Sequence, residues 1–179
     1  MILSDRDIRS AMQRLENYLI IDPPPAPRAF QPASVEMTLA EDILVDMGQA
    51  GMHPSTLSHD GIMRPGLFGL LHPGCFVLAS TMEKVHIPTD LVAQVNGKSS
   101  HARRGLVVHQ TAGFIDPGFK GNITLELSNS SLNPIKLVPG MPICQLVFFQ
   151  MTSPAQRPYG TEGIGSHYQG QSGVTSAHV

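Results

Sequence analysis

Glycine and proline recur along the whole sequence and separate one short apolar run from the next. The 179 residues include 17 glycines and 15 prolines, which are spread along the chain rather than gathered in one linker. Proline interrupts helices, and frequent breaks between short apolar runs are typical of many short strands. The pattern predicts a mostly β protein, either a β-barrel or a double-sheet jelly roll.

A short helix is predicted at the start of the chain. Ser4 can cap it, and Asp7, three residues later, supplies the acidic partner of a capping box. Ile8, Met12 and Leu15 then follow at helical spacing. The prolines of the next segment forbid its continuation, so we expect one short N-terminal helix.

Strands are predicted over most of the remaining chain from apolar runs and period-two alternation. The predicted segments are 34–45, as a strand or hairpin, and 67–88, 91–97, 105–111, 122–129, 134–140 and 142–152. Residues 47–65 have the composition of a loop. From Ser153 the chain is rich in glycine and serine with few apolar residues, which favours a flexible arm. We expect residues 1–152 to form one β-barrel domain and residues 153–179 to be a C-terminal segment of that domain.

Composition argues against several functional classes. The net charge is −2 and 15% of the residues are charged, so we expect no nucleic-acid partner. No apolar run approaches the ~20 residues of a membrane-spanning helix, and the N-terminus lacks the basic start and apolar core of a signal peptide. Cys75 and Cys144 give no disulfide framework, so we expect both to be buried small hydrophobic residues of a cytoplasmic protein.

Glu126 interrupts the most regular strand pattern of the sequence. Apolar and polar residues alternate in the order Ile123, Thr124, Leu125, Glu126 and Leu127. The carboxylate therefore lies on the face opposite the leucines. On a solvent-facing strand it would be an ordinary surface residue, whereas on a strand that lines a cleft it would be available as a general base. The pattern alone gives these two interpretations similar weight.

A basic segment, residues 96–105, combines cations with hydroxyl groups. Its polar side chains are those of Lys98, Ser99, Ser100, Arg103 and Arg104. Backbone amides, hydroxyls and a guanidinium fork together suit a phosphate group. A solvated basic loop is the alternative, and composition alone favours it. The glycine spacing differs from that of a P-loop.

The turn-rich segment "AGFIDPGFKG", residues 112–121, places Asp116 before Pro-Gly, as in many ordinary turns. The apolar run from Ala112 to Ile115 is less expected in a loop and suggests an edge that lies against a flat ligand.

Histidines do not pair with cysteines or carboxylates at metal-ligand spacing, and the zinc-deaminase signature is absent. No Gly-x-Ser-x-Gly elbow occurs. The residues therefore predict neither a metal site nor a nucleophilic serine.

Several segments resemble, in the right order, the motifs of the dCTP deaminase family, a member of the dUTPase-like superfamily. They are "ILSDRDIR", "LHPGCFVLASTMEKVHIPTDLVAQVNGKSS", "GKSSHARRGL", "HQTAGFIDPGFKGNITLELSN", "PGMPICQL" and "TSPAQRPYG…GSHYQGQ". The match covers most of the chain and is weak only at residues 40–66. The form Thr-Ala-Gly-Phe-Ile-Asp resembles the bifunctional, dUMP-forming branch. The purely deaminating branch tends to carry a His-Arg pair where this chain has Gly113 and Phe114.

The resemblance implies a dUTPase-like jelly roll that assembles as a homotrimer, with active sites between subunits. It implies zinc-independent deamination of dCTP to dUTP and ammonia, continuing to dUMP and diphosphate. The nucleotide would carry Mg²⁺ on its triphosphate, and the C-terminal segment would be a lid that orders over it. Two alternatives stay open: a dUTP diphosphatase without deamination, and a catalytically silent, trimeric nucleotide-binding protein.

The resemblance also implies roles for individual residues. Glu126 matches the catalytic glutamate, which would take a proton from a water positioned by Ser99 and the backbone of Ala112. Arg103 matches an arginine near the reacting centre. Asp116 matches a carboxylate that contacts deoxyribose and is the candidate for activating water on the triphosphate. The implied substrate contacts are Lys98, Ser99, Ser100, His101, Ala102, Arg103, Asp116, Thr124, Leu125, Glu126, Gln145, Tyr159, His167 and Gln171.

Three residues depart from the family pattern. His167 stands where Lys or Arg is usual, which weakens a phosphate contact and makes nucleotide affinity dependent on pH, since histidine side chains titrate near neutrality. His101 replaces a usual leucine, and Glu36 replaces a usual aspartate. None of these changes touches Glu126, so we expect them to affect nucleotide affinity rather than deamination itself.

Overall fold

A curled antiparallel sheet forms the body of the protein in the computed structural model, which describes residues 1–44, 62–63 and 69–178. Its strand order is β8-β10-β6-β3-β12-β7-β9, with β1 on β6, β2 and β4 on β3, and β5 and β11 in a separate two-stranded sheet. The strands are β1 (Ile20–Asp22), β2 (Phe30–Gln31), β3 (Ser34–Leu44), β4 (Ile62–Met63), β5 (Gly69–Leu71), β6 (Phe76–His86), β7 (Leu91–Gly97), β8 (Leu106–Val107), β9 (Phe114–Ile115), β10 (Lys120–Asn129), β11 (Ile135–Leu137) and β12 (Pro142–Gln150). The prediction of a mostly β protein is confirmed.

The apolar side chains of the alternating strands point into one core. On β10, Leu125 and Leu127 are 1% and 0% exposed, and on β12 Leu146 and Phe148 are fully buried. Burying one such side chain contributes roughly 1.5–3 kcal/mol relative to leaving it exposed. Because successive side chains of a strand point to opposite faces, Glu126 lies on the outer face of β10.

The N-terminal helix, α1 (Asp5–Met12), is capped as predicted. Ser4 Oγ accepts the N–H of Asp7 at 3.3 Å, and the Asp7 carboxylate accepts the N–H of Ser4 at 3.4 Å. The predicted helical position of Leu15 is wrong, because this residue lies beyond the helix and is 98% exposed. A further helical turn would bury no apolar surface there and so gain little stability. Across the part of the chain that the structure describes, every helix is too short or too polar to cross a membrane.

Tertiary pairing changes the prediction for residues 34–65. Residues 34–44 form one continuous strand, β3, rather than a hairpin. Residues 62–63, predicted as loop, form β4, in which Ile62 pairs with Leu44 at the end of β3. A strand of two residues is too short for a period to be recognised, so the sequence could not predict it. The rest of the predicted loop 47–65 lies outside the described residues.

The predicted strand 105–111 is only partly correct. Regular pairing with β10 is limited to β8, and the chain then continues beside β10 as an irregular segment. Within it, the carbonyl of Val108 accepts the N–H of Glu126 at 3.2 Å. Gln110 lies next to the Glu126 side chain, so this segment is shaped by its contacts with the outer face of β10 rather than by strand pairing. The other predicted strands are present with small shifts of their ends.

Both cysteines are interior residues, as predicted. Cys75 and Cys144 are free, and they are 7% and 0% exposed. Burial, followed by the nearby carboxylate of Glu83, raises the pKa of the Cys144 thiol far above its usual range. Cys144 therefore stays neutral and packs as a small hydrophobic side chain.

The C-terminal segment runs along the outside of the barrel and returns over β10. Four backbone hydrogen bonds attach it, N–H to carbonyl: Ala155 to Thr89 (2.8 Å), Tyr159 to Pro117 (2.7 Å), Gly170 to Lys120 (2.8 Å) and Asn122 to Gln171 (3.1 Å). The segment thereby covers the strand face that carries Glu126. This arrangement agrees with a lid-like position, while the flexibility of the segment stays a prediction.

Candidate active site

A cavity of about 490 Å³ lies on the outer face of β10, beneath the C-terminal segment. Its walls come from β10 and β6, from the segment 112–119 and from the tail between residues 159 and 177. The predicted site residues that line it are Ala112, Asp116, Thr124, Glu126, Tyr159, His167 and Gln171. Small-molecule sites typically measure about 300–1,000 Å³, so the cavity is large enough for a nucleotide-sized ligand.

Glu126 stands on the floor of this cavity and is half-buried. The backbone N–H of Gln110 donates to its Oε2 at 2.7 Å. Its other oxygen, Oε1, accepts no hydrogen bond from the described residues. The protein thus orients one carboxylate oxygen and leaves the other for a ligand or a water molecule. Of the two interpretations of the strand pattern, the one with a cleft is correct.

Buried polar atoms without a hydrogen-bond partner among the described residues concentrate around this cavity. They are Ser80 Oγ, His109 Nδ1, Thr124 Oγ1 and Gln171 Oε1. Thr124 and Gln171 line the cavity, and Ser80 lies directly across the β6–β10 ladder from Thr124. An unpaired buried polar group costs about 1–3 kcal/mol. Thr124 Oγ1 and Gln171 Oε1 are therefore suited to hydrogen bonds with a polar ligand or with water in the cavity.

Asp116 is an exposed carboxylate at the rim of the cavity, directly after β9. The segment before it is fixed to β7, because the carbonyl of Gly113 accepts the N–H of Val95 at 2.7 Å. Ala112 and Phe114 of the predicted apolar edge both line the cavity, while its contact with a flat ligand stays a prediction. Asp116 also lines a neighbouring depression of about 410 Å³, so its carboxylate borders two adjoining spaces.

The tail adds aromatic rings and a histidine pair. The ring of Tyr159 tilts against that of Phe119, with centroids 5.8 Å apart, and its hydroxyl accepts the N–H of Tyr168 at 3.0 Å. His167 is exposed and stacks on His178, with ring centroids 6.0 Å apart. Tyr159 and His167 both line the cavity, so the tail brings two of the predicted contacts to the same space as Glu126.

The predicted phosphate-binding residues lie elsewhere, in a groove of about 410 Å³. Its lining includes Lys98, Ser99, Ser100 and Gln145, together with Glu36 and residues 31–34. Lys98 Nζ forms an ion pair with Glu36, and Ser34 Oγ donates to Gln145 Oε1 at 3.0 Å. This groove, called the Lys98 groove below, shares no lining residue with the Glu126 cavity. Within one chain, the two sets of predicted contacts are therefore separate.

Four predicted contacts line neither space: His101, Ala102, Arg103 and Leu125. The basic segment contains a one-turn helix, α2 (Ser99–Ala102), and Ala102 and Arg103 are exposed at its end. The Nε2 of His101 lies 2.8 Å from the carbonyl oxygen of Pro142, which ties α2 to β12. Leu125 faces the core, so only its backbone could contact a ligand.

Three further residues lie beside the site that the apolar–polar alternation of the sequence does not predict. Gln110 bonds to Glu126, while Leu78 and Ser80 of β6 lie opposite Glu126 and Thr124 in the β6–β10 ladder. The alternation along β6 places Leu78 and Ser80 on one face. However, the register between two strands is a tertiary property that one strand's pattern does not contain.

The fold and the cavity together define a class of protein, a dUTPase-like barrel with a largely apolar cavity that holds a few polar groups under its C-terminal tail. The structure of native EIAV dUTPase matches with a TM-score of 0.53 and 22% sequence identity, over 82% of this chain and 99% of that chain. At this level of identity the likeness shows the fold alone. It confirms the predicted dUTPase-like jelly roll.

A family model described as dCTP deaminase-like matches residues 2–151, and the chain belongs to this family. A relative from Thermobifida fusca (strain YX), named "dCTP deaminase, dUMP-forming", is 47% identical over 185 residues, which cover 98% of this chain and 91% of the relative. The crystal structure of 2′-deoxycytidine 5′-triphosphate deaminase from Agrobacterium tumefaciens matches with a TM-score of 0.64 and 25% identity, over 82% of this chain and 47% of that chain. The family resemblance seen in the sequence is confirmed.

Proposed function

We propose that the protein deaminates dCTP and carries the product on to dUMP, with release of ammonia and diphosphate. The observation that carries this proposal is the position of Glu126, a half-buried carboxylate on the floor of a cavity, with one oxygen held by the N–H of Gln110. The likeness over nearly the full length to a relative named for the dUMP-forming reaction supports the same conclusion.

Deamination begins with the addition of water to C4 of the cytosine ring. Glu126 takes a proton from a water positioned by the Ala112 backbone and by Ser99 of a second subunit. The hydroxide adds to C4 while the C4–N3 double bond becomes a single bond, and Glu126 gives the proton to N3. Glu126 then transfers the proton of the new C4 hydroxyl to the amino nitrogen, the bond between C4 and that nitrogen breaks, C4 becomes a carbonyl, and ammonia leaves dUTP. Thr124 Oγ1 and Gln171 Oε1, which lack partners among the described residues, hydrogen-bond to the polar edges of the nucleotide. In this scheme the Glu126 carboxylate, rather than a zinc ion, activates the attacking water, so no zinc is required.

Diphosphate release needs a second water, which attacks the α-phosphorus of dUTP while the bond to the bridging oxygen breaks. We assign activation of this water to Asp116, the exposed carboxylate at the rim of the cavity. When bound to the phosphate oxygens of the nucleotide, Mg²⁺ would neutralise part of their charge. Among the described residues no three His, Cys, Asp or Glu side chains form a metal-ligand group of their own, which is consistent with a magnesium ion that arrives with the nucleotide.

The separation of the two polar spaces supports a homotrimer with active sites between subunits. The Lys98 groove and the Glu126 cavity share no lining residue, and Arg103 projects from the end of α2 as an exposed side chain. A second subunit that presents its groove to the cavity supplies the phosphate contacts and the arginine that the cavity lacks. A closed ring repeats this interface three times and makes the sites equivalent.

Gly113 supports the dUMP-forming branch over the purely deaminating one. A Cβ at position 113 would lie 3.0 Å from two atoms of the His109 ring, which is closer than most Cβ contacts in folded proteins. The histidine that is usual at this position in the purely deaminating branch would therefore require the His109 ring to move.

A dUTP diphosphatase without deamination is the second candidate, because residues 113–121 also resemble a motif shared across the dUTPase-like superfamily. Incubation with dCTP and Mg²⁺, followed by chromatographic separation of the products, distinguishes the candidates. We expect dUMP with one ammonia per nucleotide. Accumulation of dUTP would limit the activity to deamination. Hydrolysis of added dUTP with unchanged dCTP would identify the diphosphatase, and nucleotide binding without turnover would identify a silent protein.

We also propose a cytoplasmic location, in keeping with two free cysteines.

A further inference from the structure

We infer that Gln110 is a positioning residue for Glu126 and that it acts through a side-chain contact with Ser128. The inference rests on the proposed function, because it takes Glu126 as the general base. Gln110 is exposed and lines no wall of the cavity, so its own side chain is not a substrate contact within this chain.

Gln110 contacts β10 with both its backbone and its side chain. Its N–H donates to Glu126 Oε2 at 2.7 Å, and its Nε2 donates to Ser128 Oγ at 2.9 Å. A longer contact, 3.4 Å, joins the same Nε2 to the carbonyl of Glu126. Ser128 follows Glu126 by two residues, so both side chains lie on the outer face of the strand. The contact with Ser128 therefore fixes the segment whose amide holds the carboxylate.

The orientation of this amide matters for the chemistry. An N–H held at Oε2 restricts rotation of the carboxylate and directs Oε1 toward the cavity. A general base has to lie within hydrogen-bond distance of the water that it activates. A displacement of about 1 Å in such an arrangement can cost about 10²-fold in rate. A contact that adds little to stability can therefore have a measurable effect on turnover.

The same contact also places Ala112, whose backbone we assign to the attacking water. Ala112 lies two residues after Gln110 and lines the cavity. On its other side, the carbonyl of Gly113 accepts the N–H of Val95 at 2.7 Å. The segment is thus attached to β10 at Gln110 and to β7 at Gly113. Loss of the β10 attachment would release Glu126 and the Ala112 backbone together.

Two substitutions remove the contact from its two sides, and a third preserves it. Gln110→Met keeps the side-chain length without a donor, and Ser128→Ala removes the acceptor. Ser128→Thr keeps a hydroxyl on a residue that suits a strand and serves as the matched control. With dCTP and Mg²⁺, we expect kcat for ammonia release to fall about five- to tenfold in the first two variants, with KM changed less than about twofold. Ser128→Thr should keep kcat within about twofold of the unmodified protein.

The double variant, Gln110→Met with Ser128→Ala, tests whether the two residues act as one unit. Because each substitution removes the same contact, we expect the double variant to be no slower than the slower single one. Unchanged kcat in both single variants, a change confined to KM, or fully additive losses would overturn the inference. Thermal melting checks that each variant is folded, and if Gln110→Met does not fold, the comparison of Ser128→Ala with Ser128→Thr decides.

Glu126→Gln separates this inference from the proposed function. If ammonia release survives that substitution, the proposed function itself fails. If it is lost there but unaffected by substitutions at Gln110 and Ser128, the positioning role alone is wrong.

Discussion

The two polar spaces on one chain differ in whether their polar groups are already paired. In the Glu126 cavity, buried oxygens lack partners among the described residues. In the Lys98 groove, the charged side chains and one amide are already engaged: Lys98 pairs with Glu36, and Gln145 accepts a hydrogen bond from Ser34. The cavity is therefore prepared for a ligand that brings hydrogen-bonding groups of its own, whereas a phosphate entering the groove has to compete with a carboxylate.

Because of this contrast, we expect the Glu126 cavity to determine the rate of the chemical step and the Lys98 groove to determine nucleotide affinity. A ligand in the cavity satisfies buried groups that each cost about 1–3 kcal/mol when unpaired, so geometry there should govern the chemical step. The groove is more open, and an ion pair near the surface contributes only about 0–1 kcal/mol. Substitutions in the cavity should accordingly change kcat, and substitutions in the groove should change mainly KM.

The largest effect is expected from Glu126→Gln. The variant keeps the size of the side chain but cannot accept the proton from water, so ammonia release from dCTP should fall by about 10³-fold or more. Calorimetric titration with dCTP should still show binding within a few-fold of the unmodified protein. If the variant still released ammonia, the chemical step would not depend on Glu126, and the assignment of that step to the Glu126 cavity would be wrong.

Asp116→Asn should divide the two reactions. We expect diphosphate release to fall about 10²-fold while ammonia release falls less than about tenfold, because the rim carboxylate is assigned only to the second water. Ammonia and diphosphate would be measured from the same samples. Asp116→Glu, which keeps the charge, is the control, and equal losses in both products would show that Asp116 has no separate hydrolytic role.

Mixed assemblies test whether the two spaces meet across a subunit boundary. Arg103→Ala and Glu126→Gln should each be inactive alone. After subunit exchange in equal amounts, about a quarter of the sites would combine an intact Glu126 with an intact Arg103 from the neighbouring subunit, and activity should recover to that level. A mixture that stays inactive after confirmed exchange would mean that each site draws both residues from one chain.

A smaller effect is expected in the groove. Glu36→Gln removes the negative charge beside Lys98, so the KM for dCTP should fall about threefold while kcat is unchanged. Glu36→Asp keeps the charge and serves as the control. Steady-state kinetics at two salt concentrations would check the electrostatic origin, because screening should reduce the difference. A raised KM would show instead that Glu36 holds Lys98 in a productive position.

The smallest effect concerns acid stability beside the C-terminal segment. Burial, followed by the positive charge of Lys120 opposite it on β10, lowers the pKa of His86. The unfolded chain therefore binds a proton more readily, and stability falls as the pH drops below the unfolded-state value of about 6.5. Between pH 7 and 5.5, the loss in melting temperature should be about 1–3 °C smaller in His86→Gln than in the unmodified protein. Calorimetric melts at both pH values would measure this, and equal losses would count against the role of His86.

Much of the fold follows from local patterns. Strands β7, β10 and β12 are predicted because each is long enough for alternation to be recognised, and α1 because its capping box is encoded within four residues. The strand β4 could not be predicted, since its pairing with β3 is a contact between segments distant in sequence. Leu15 was wrongly predicted to lie in the helix for a related reason. Its spacing is helical, but the side chain is exposed, so another helical turn would bury no apolar surface.

The site shows the same division between local and tertiary information. The outward position of Glu126 follows from the alternation along β10. Its amide partner Gln110, and Ser80 across the ladder from Thr124, depend on how separate segments pack. The sequence also could not predict that the Glu126 cavity and the Lys98 groove are separate spaces. Motifs do not show whether their residues meet within one chain or between two copies of it.

The tail is attached to the barrel mainly through main-chain atoms, aided by the amides of Gln169 and Gln171. The close approach depends on Gly121, whose φ is +142° and where a Cβ would lie 2.6 Å from the carbonyl oxygen of Gln171. Apart from these glutamines and the two tyrosines Tyr159 and Tyr168, which pack against the core, the side chains of the tail contribute little to its attachment. They could therefore be redesigned together to alter nucleotide preference, provided that Gly121, the two glutamines and the two tyrosines are kept.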